Sequence, residues 1–175
     1  MLRKRDLADS IKWKEWKATI DIKTCWNCKK MHGKIFDIYE MIASRPSMHI
    51  ACRRVIQVLK AVNAGFATDK GQDGADWHLK YYGKLPNYYI MKERALEIGW
   101  DKSSGNLHDI ASGCMIGGGV YENDDAKLPE KPGRIWYEAD INYTEGRRNS
   151  ERIVYSNDGL IFVTYDNYTT FVEVR

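Results

Sequence analysis

The chain has 175 residues, of which 43% are apolar and 29% are charged, and its formal net charge is +3. This length accommodates one core of typical size and an appendage, and no apolar stretch approaches the ~20 residues of a membrane-spanning helix. The composition therefore excludes a helical membrane protein and predicts a globular protein of two unequal parts.

Positive charge is concentrated at the amino end. Residues 1–60 carry 14 Lys or Arg and 6 Asp or Glu, whereas residues 61–175 carry 13 and 18. A basic end attracts phosphates, although an ordinary solvated, lysine-rich helix explains the same pattern. Basic residues interrupt the apolar ones over the first 17 positions, so we expect no signal peptide.

The amino-terminal part is predicted to be helical. Apolar residues recur at irregular helical spacing from Asp6 to Thr19, and an apolar and basic run, Cys52 to Val62, indicates a second helix. The following residues, AVNAGFATDKGQDG, are small, polar and glycine-containing, which is typical of a linker. We therefore expect a helical, cysteine-rich segment at residues 1–65, a linker at 66–74 and a larger domain at 75–175.

The larger domain begins with helices and continues with strands. The pattern predicts helices over Ala75–Tyr82 and Lys92–Ile98, the second ending at Gly99, and a short helix opened by residues 105–107. From Met115 onward, alternating runs are separated by polar turns: MIGGGVY, RIWYEADINY, ERIVYS, GLIFVTY and TTFVEV. Helices followed by an antiparallel sheet predict an α+β fold.

Four possible metal ligands lie in the amino-terminal part. Cys25 and Cys28 are followed after twenty residues by His49 and Cys52, and each pair has two intervening residues. Three thiolates and one imidazole complete a tetrahedral shell, so this spacing predicts a structural Zn²⁺ site. Buried thiols or a disulfide remain the alternatives.

The strand region contains a group of charged residues suited to phosphate chemistry. Glu138, Asp140, Arg148 and Arg152 fall within fifteen residues, and Lys92 lies on an earlier predicted helix. Ordinary salt-bridged strands would produce the same spacing, so the spacing alone does not distinguish a catalytic group from a structural one.

From about residue 71 to 175 the chain resembles the barnase-type guanyl-specific ribonucleases. The resemblance rests on YYGKLPNYYI, ALEIGW, GNLHDIASG, IGGGVY, KLPEKPGRIWYEADINYTEGRRNSERIVYS and YDNYTTF. It implies amino-terminal helices packed on a twisted antiparallel sheet, with the active site on the open sheet face. It also implies that single-stranded RNA is the substrate and that catalysis needs no metal.

The resemblance also implies roles for the charged group. Glu138 matches the general base, which takes the proton of the ribose 2′-hydroxyl. Lys92, Arg148 and Arg152 match the cations that stabilise the phosphorane-like transition state. Asp140 matches a buried carboxylate that positions the arginines.

Base recognition in this family comes from a loop that matches Glu122, Asn123 and Asp125. A carboxylate at Asp125 accepts hydrogen bonds from guanine N1 and N2. The chain departs from the family here, because Asp125 replaces the usual glutamate and Asp124 replaces a usual arginine. Tyr168 matches an aromatic residue that contacts the nucleotide.

The largest departure from the family is Asn167, which stands in YDNYTTF where the family has the general-acid histidine. An amide cannot supply a proton to the departing 5′-oxygen at neutral pH. We therefore predict a chain that binds RNA far better than it cleaves it. Two explanations are a deliberate inactivating replacement, favoured by the retained base and cations, and a natural attenuated or recognition-only relative.

Residues from about 20 to 56 resemble the carboxy-terminal end of MuF-type phage head-morphogenesis proteins. The match rests on TCWNCKKMHGKIFDI and PSMHIACRRVI, and it departs at Ile50 and Ala51, where that family has proline and asparagine. It implies a phage head or other carrier partner for the amino-terminal part.

Together the resemblances predict a polymorphic toxin. Its ribonuclease would cleave single-stranded RNA 3′ to guanosine through a 2′,3′-cyclic phosphate, and a barstar-like protein would inhibit it. It would be secreted or delivered by a virion, act in the target cytoplasm and have no membrane partner. The alternative is a non-catalytic RNA-binding protein or a phage structural protein.

Overall fold

The computed structural model describes residues 11–42 and 54–175. They form two compact units. The first contains the described residues up to Leu59 together with Asn123–Lys131, and the second contains Lys60–Glu122 and Pro132–Arg175.

The first unit is a small sheet with one helix. Its elements are β1 (Trp13–Ala18), α1 (Trp26–Met31), β2 (Ile35–Asp37) and β3 (Arg54–Val58). β1 is the middle strand and pairs antiparallel with both β2 and β3. Trp16, Ala18 and Cys28 form its buried cluster, so α1 packs on β1 through Cys28.

The helices predicted over Asp6–Thr19 and Cys52–Val62 were wrong where the structure describes them. Residues 13–18 and 54–58 are strands, so the amino-terminal segment is not the helical one that we expected. Tryptophan and the β-branched Val55, Ile56 and Val58 fit a pleated surface. Pairing along both edges of β1 provides the backbone hydrogen bonds that a helix would otherwise supply.

The second unit contains helices followed by a sheet. Its elements are β4 (Ala61–Val62), a 3₁₀ turn (Gly71–Asp73), α2 (Ala75–Tyr82), β5 (Tyr89–Ile90), α3 (Lys92–Glu97), α4 (Leu107–Ile110), β6 (Met115–Val120), β7 (Trp136–Asp140), β8 (Arg152–Ser156), β9 (Ile161–Thr164) and β10 (Val172–Val174). The strand order is β4-β10-β9-β8-β7-β6-β5. The α+β fold class is therefore confirmed.

The sheet is mixed, whereas we expected an antiparallel one. The five central strands, β6 to β10, pair antiparallel with their neighbours. At the two edges, β4 pairs parallel to β10 and β5 pairs parallel to β6. These two-residue strands carry too few residues to show alternation, so the sequence pattern did not reveal them.

Side-chain alternation gives the central sheet two different faces. Ala139, Ile153 and Val163 lie side by side on three strands and pack in one core with Ala75 and Leu79 of α2. Successive strand residues point to opposite faces, so Glu138 and Asp140 belong to the face that α2 leaves uncovered.

The predicted linker at residues 66–74 is instead a packed part of the second unit. Ala67 is buried, and the fully buried Asp76 of α2 accepts hydrogen bonds from the backbone N–H groups of Gly65 and Ala67 and from the Thr68 hydroxyl. A buried carboxylate needs such donors, and they fix this segment against α2. The small residues of this segment suggested a linker, but in the structure they allow it to pack closely against α2.

None of the helices that the structure describes is both long and apolar enough to cross a membrane.

Candidate active site

Glu138 lies on the sheet face opposite to the one that packs on α2. It is half-buried on β7, opposite Val154 of β8 and Gly119 of β6. The hydroxyl of Tyr168 donates a hydrogen bond to its Oε2 atom. Burial, followed by the hydrogen bond to Glu138 and the charge of that carboxylate, raises the pKa of Tyr168. The phenol therefore stays protonated at neutral pH and donates to a carboxylate.

Asp140 joins the two arginines of the site. It lies two residues from Glu138 on the same face, directly across from Arg152 of β8, and is fully buried. Arg148 Nε donates to one carboxylate oxygen over 2.6 Å, and Arg152 Nε lies 3.0 Å from the other. One buried carboxylate thus orients two guanidinium groups, one from the loop before β8 and one from the first residue of β8.

Further contacts hold both arginines in place. Arg152 Nη1 donates to the carbonyl oxygens of Asn149 and Glu151 over 2.8 and 2.6 Å. The Arg148 guanidinium lies 5.8 Å from the ring centroid of Trp100. Burial lowers the pKa of Arg148, but the hydrogen bonds and charge of Asp140 outweigh burial and raise the pKa. These contacts therefore hold both guanidinium groups in place beside Asp140.

Electrostatic coupling connects the arginines with the other half of the site. The charge of Glu138 also contributes to the raised pKa of Arg148, and both arginines act on Tyr168 in the opposite direction to Glu138. The structure thus brings together Glu138, Asp140, Arg148, Arg152 and Tyr168. Such a group can accept a proton and stabilise a developing phosphate charge.

Asn167 and Tyr168 occupy a tight turn after β9. Both have left-handed backbone conformations, with φ angles of 54° and 61°. Asp166 braces the turn by accepting hydrogen bonds from the Thr170 backbone N–H and from the hydroxyls of Thr164 and Thr170. The side chain of Asn167 is exposed, while its backbone N–H donates to the carbonyl of Ser150 over 3.1 Å.

Lys92 is not one of the members of this hydrogen-bonded group. It is the exposed first residue of α3. Among the described residues, the hydrogen bonds and ion pairs of Glu138, Asp140, Arg148 and Arg152 do not include Lys92. The structure therefore brings two of the three predicted cations, Arg148 and Arg152, into direct contact with Asp140.

The predicted base-recognition loop is braced from inside by Asn123. This buried side chain donates to the Leu128 carbonyl over 3.0 Å, accepts from the Leu128 N–H over 3.0 Å and also donates to Glu130. It therefore shapes the loop rather than presenting its amide to a ligand. Glu122 is exposed, and 74% of the Asp125 side chain is accessible, with Lys127 Nζ 3.7 Å from it.

Two of the four predicted zinc ligands lie in the described part of the chain. Cys25 directly precedes α1, and Cys28 is buried within its first turn. His49 and Cys52 lie outside the described residues. Within residues 11–42 and 54–175, no three His, Cys, Asp or Glu side chains are grouped so that they could hold a metal ion.

Sequence reasoning did not single out Tyr121. Its ring stacks on that of Tyr168 with centroids 5.1 Å apart and an interplanar angle of 15°. Tyr121 thereby supports the aromatic residue that contacts Glu138. Its position between a glycine-rich strand and the predicted recognition loop was the available signal, because residues beside such loops often support the site.

Comparisons with known proteins agree with this geometry. Residues 62–175 match the family described as ribonuclease, and residues 3–57 match Phage Mu protein F like protein more weakly. The chain is 48% identical to a ribonuclease of Heyndrickxia coagulans over 103 residues, which cover 59% of this chain and 94% of that protein.

Two further relatives are the ribonucleases of Bacillus intermedius and Bacillus pumilus. Each is 48% identical over 103 residues, which cover 59% of this chain and 64% of the relative. The ribonuclease match extends over more than half of the chain, and the carboxylates and arginines described above all lie within it. The chain therefore belongs to the ribonuclease family, of the barnase type.

Proposed function

We propose that this chain is a guanyl-preferring endoribonuclease whose cleavage step is strongly impaired. One observation carries the proposal: Glu138 and Tyr168 share a hydrogen bond beside two arginines that Asp140 holds in place. Single-stranded RNA is the substrate, and cleavage 3′ to guanosine leaves a 2′,3′-cyclic phosphate.

In the proposed reaction, Glu138 accepts the proton of the ribose 2′-hydroxyl as that oxygen attacks the adjacent phosphorus. The bond from phosphorus to the 5′-oxygen breaks, and Arg148 and Arg152 stabilise the negative charge on the non-bridging oxygens. The substrate hydroxyl displaces the Tyr168 hydroxyl from Glu138. The leaving 5′-oxygen needs a proton, which the amide of Asn167 does not supply.

The decisive experiment replaces Asn167→His and measures cleavage of a guanosine-containing dinucleotide. We expect a rise of ~10² or more, the lower end of what a general acid contributes. Asn167→Ala should behave like the parent chain, and Glu138→Gln in the Asn167→His background should remove the gain. If no rise occurs, a non-catalytic RNA-binding protein or a phage structural protein becomes the better description.

Guanine preference is assigned to the carboxylate of Asp125. Its exposure leaves its oxygens accessible to guanine N1 and N2, while Asn123 holds the loop in shape. Lengthening the side chain by Asp125→Glu, in the Asn167→His background, should raise the ratio of GpA to ApA cleavage. Asp125→Ala should lower it. Equal ratios in all three proteins would contradict base recognition by Asp125.

Cys25, Cys28, His49 and Cys52 are proposed to hold a structural Zn²⁺. The tight turn around the start of α1 suits a CxxC pair, and three thiolates with one imidazole are a typical structural zinc set. Metal analysis of the purified full chain should find about one zinc per chain, and Cys28→Ser should reduce it. A metal-poor protein with the circular dichroism and thermal stability of the zinc-containing one would contradict the site.

A barstar-like inhibitor and a carrier complete the proposed toxin. An acidic inhibitor surface would complement Arg148 and Arg152 by imitating phosphate charges. The weaker match of residues 3–57 to a phage protein supports secretion or delivery by a virion into a target cytoplasm. Mass spectrometry of purified virions from a producing strain tests this route, and absence of the chain from them would contradict virion delivery.

A further inference from the structure

The first unit contains a cleft with two walls of opposite charge. The cleft has a volume of about 710 Å³. One wall consists of Lys29 and Lys30 of α1 followed by His32 and Lys34, and the other consists of residues 124–127. This volume falls within the range of small-ligand sites and can accommodate a nucleotide.

The basic wall is held to β1 by its backbone. The backbone N–H of Trp16 donates to the carbonyl of Lys34 over 3.0 Å, and the backbone N–H of Gly33 donates to the carbonyl of Trp16 over 2.9 Å. The backbone N–H of Ala18 donates to Nδ1 of His32 over 3.0 Å. That nitrogen is therefore an acceptor, so His32 contributes an Nε2–H donor, whereas the lysines supply the positive charge.

The acidic wall is attached to the same unit. The N–H of Ile35 donates to the carbonyl of Lys127 over 2.7 Å, which joins the loop to β2. Asp124 and Asp125 are exposed there. This wall also contains Lys127, whose Nζ lies 3.7 Å from Asp125, so a ligand in the cleft meets two carboxylates and one ammonium group on this side and three lysines on the other.

The side of α1 next to the basic wall also carries an aromatic residue. Trp26 is 70% exposed, and Lys30 Nζ lies 5.0 Å from its ring centroid. Exposed aromatic rings interleaved with lysines are typical of surfaces that bind single-stranded nucleic acids, because bases stack on the ring while lysines contact the phosphates.

We propose that this cleft is an additional RNA-binding subsite, in which Lys29, Lys30 and Lys34 hold the phosphates of nucleotides that flank the guanosine whose base faces the loop. The hydrogen-bond donors of guanine match the carboxylates of the loop, and the phosphates of the flanking nucleotides, which a dinucleotide lacks, match the lysines. An acidic protein would place like charge against Asp124 and Asp125. The inference rests on the proposed function, since that function assigns base recognition to the loop.

The test compares a long and a short ligand on the full chain. The ligands are a fluorescently labelled decanucleotide with one guanosine and the dinucleotide GpA. The variant combines three substitutions, Lys29→Ser, Lys30→Ser and Lys34→Ser. It should bind the decanucleotide about tenfold or more weakly at low salt, while its affinity for GpA changes little. The slope of log affinity against log salt should fall by about 2, since each lost contact to a single strand contributes about 0.7.

A matched control removes three lysines from the same unit outside the cleft: Lys12→Ser, Lys17→Ser and Lys23→Ser. Their loss changes the net charge equally and should affect decanucleotide binding far less. Trp26→Ala should lower the affinity for the decanucleotide at least about fivefold, the low end of what a stacked base contributes. Tyr39 is also an exposed aromatic residue, and Tyr39→Ala should leave this affinity unchanged.

Equal losses in the two lysine triples would overturn the subsite, because general charge attraction would then explain the binding. The subsite also fails if the cleft lysines affect only an acidic inhibitor and not RNA. Failure of the proposed function is distinguishable, because Asn167→His would then not cleave GpA even though decanucleotide binding still depended on the cleft lysines.

Discussion

Asp140 shows how a single residue organises the catalytic face. The carboxylate is fully buried and contacts two guanidinium groups, so its own charge is compensated twice. Removal of such a partner leaves buried charges of like sign close together, which is more costly than loss of an exposed ion pair.

We therefore expect Asp140→Asn to lower the free energy of unfolding by about 3 to 5 kcal/mol, as for other buried pairs that lose one partner. Urea denaturation of the purified protein measures this. Glu97→Gln provides the control, because its pair with Arg94 is about two-thirds exposed and should contribute about 1 kcal/mol or less. Equal losses in the two variants would argue against the buried network.

Asp166 makes the stability of the turn at Asn167 and Tyr168 depend on pH. Burial raises its pKa, but hydrogen bonds from Thr170 and Thr164 outweigh burial, so the pKa is lowered. A carboxyl whose pKa is lower in the folded than in the unfolded state stabilises the fold above its unfolded pKa. That stabilisation is lost as the pH falls through the folded pKa.

Accordingly, the stability difference between the parent chain and Asp166→Asn should be larger at about pH 7 than at about pH 2. Urea midpoints at both values measure it. Thr170→Val removes one of the hydrogen-bond donors and should reduce the same pH dependence in part. Parallel pH profiles for all three proteins would contradict the assigned role of Asp166.

The site residues illustrate what a sequence can indicate at this scale. Spacing alone did not separate Glu138, Arg148 and Arg152 from an ordinary charged strand surface, and only the family resemblance pointed to them. The buried position of the Asn123 side chain was not predictable, because it depends on hydrogen bonds within the loop. Tyr121 was missed for a similar reason, since its stacking on Tyr168 joins residues 47 positions apart in the sequence.

Among the elements, the loop before β8 must approach the segment before α4 closely. Gly105 has a φ of 72°, and a β-carbon there would lie 2.8 Å from the backbone nitrogen of Arg147. The neighbouring residue, Arg148, is one of the two cations that contact Asp140. Bulk at Gly105 therefore shifts the backbone next to the catalytic group.

We expect Gly105→Ala to destabilise the protein and also to weaken RNA binding. Gly113→Ala isolates the cause, because Gly113 has a φ of 75° but no atom within 4 Å of a β-carbon. Both variants bear the left-handed strain of about 1–2 kcal/mol, and only the first also has the clash. Thermal melts and RNA titrations compare them, and identical behaviour would contradict the close approach.

The elements also differ in how far the sequence predicted them. Residues 75–82 were predicted as a helix, and the structure has a helix with the same bounds, ending at Gly83 in a left-handed conformation. β1 and β3 were predicted as helices because WKEWKA is too short to separate the two periodicities. Their pairing, which joins residues about 40 positions apart, decides their conformation and leaves no local signal.

At the scale of the whole molecule, the described part of the first unit buries fewer apolar side chains than the second unit does. The first unit has a buried cluster built on Trp16, Ala18 and Cys28, whereas β8 and β9 of the second include several side chains with no exposed surface. Local stability follows buried apolar contact, so the units should open at different free energies.

Native-state hydrogen exchange provides the measurement. Amides of Ile153, Val154 and Val163 should exchange only through complete unfolding of their unit, while amides of β1 should exchange at a lower free energy. Ala75→Gly serves as a probe, because it weakens α2 of the larger unit. It should speed the exchange of the Ile153, Val154 and Val163 amides and leave the exchange of the β1 amides unchanged. A single exchange free energy for all of these amides would show that the molecule opens as one cooperative body.

The order of the central strands affects how the sheet of the second unit folds. β6 to β10 lie in the sheet in the order in which they occur along the chain, so each strand pairs with the one before it across a connection of 4 to 15 residues. A chain that folds from its amino end can therefore add each of these five strands to the one before it, whereas the edge strand β4 finds its partner only when β10, the last strand, is in place.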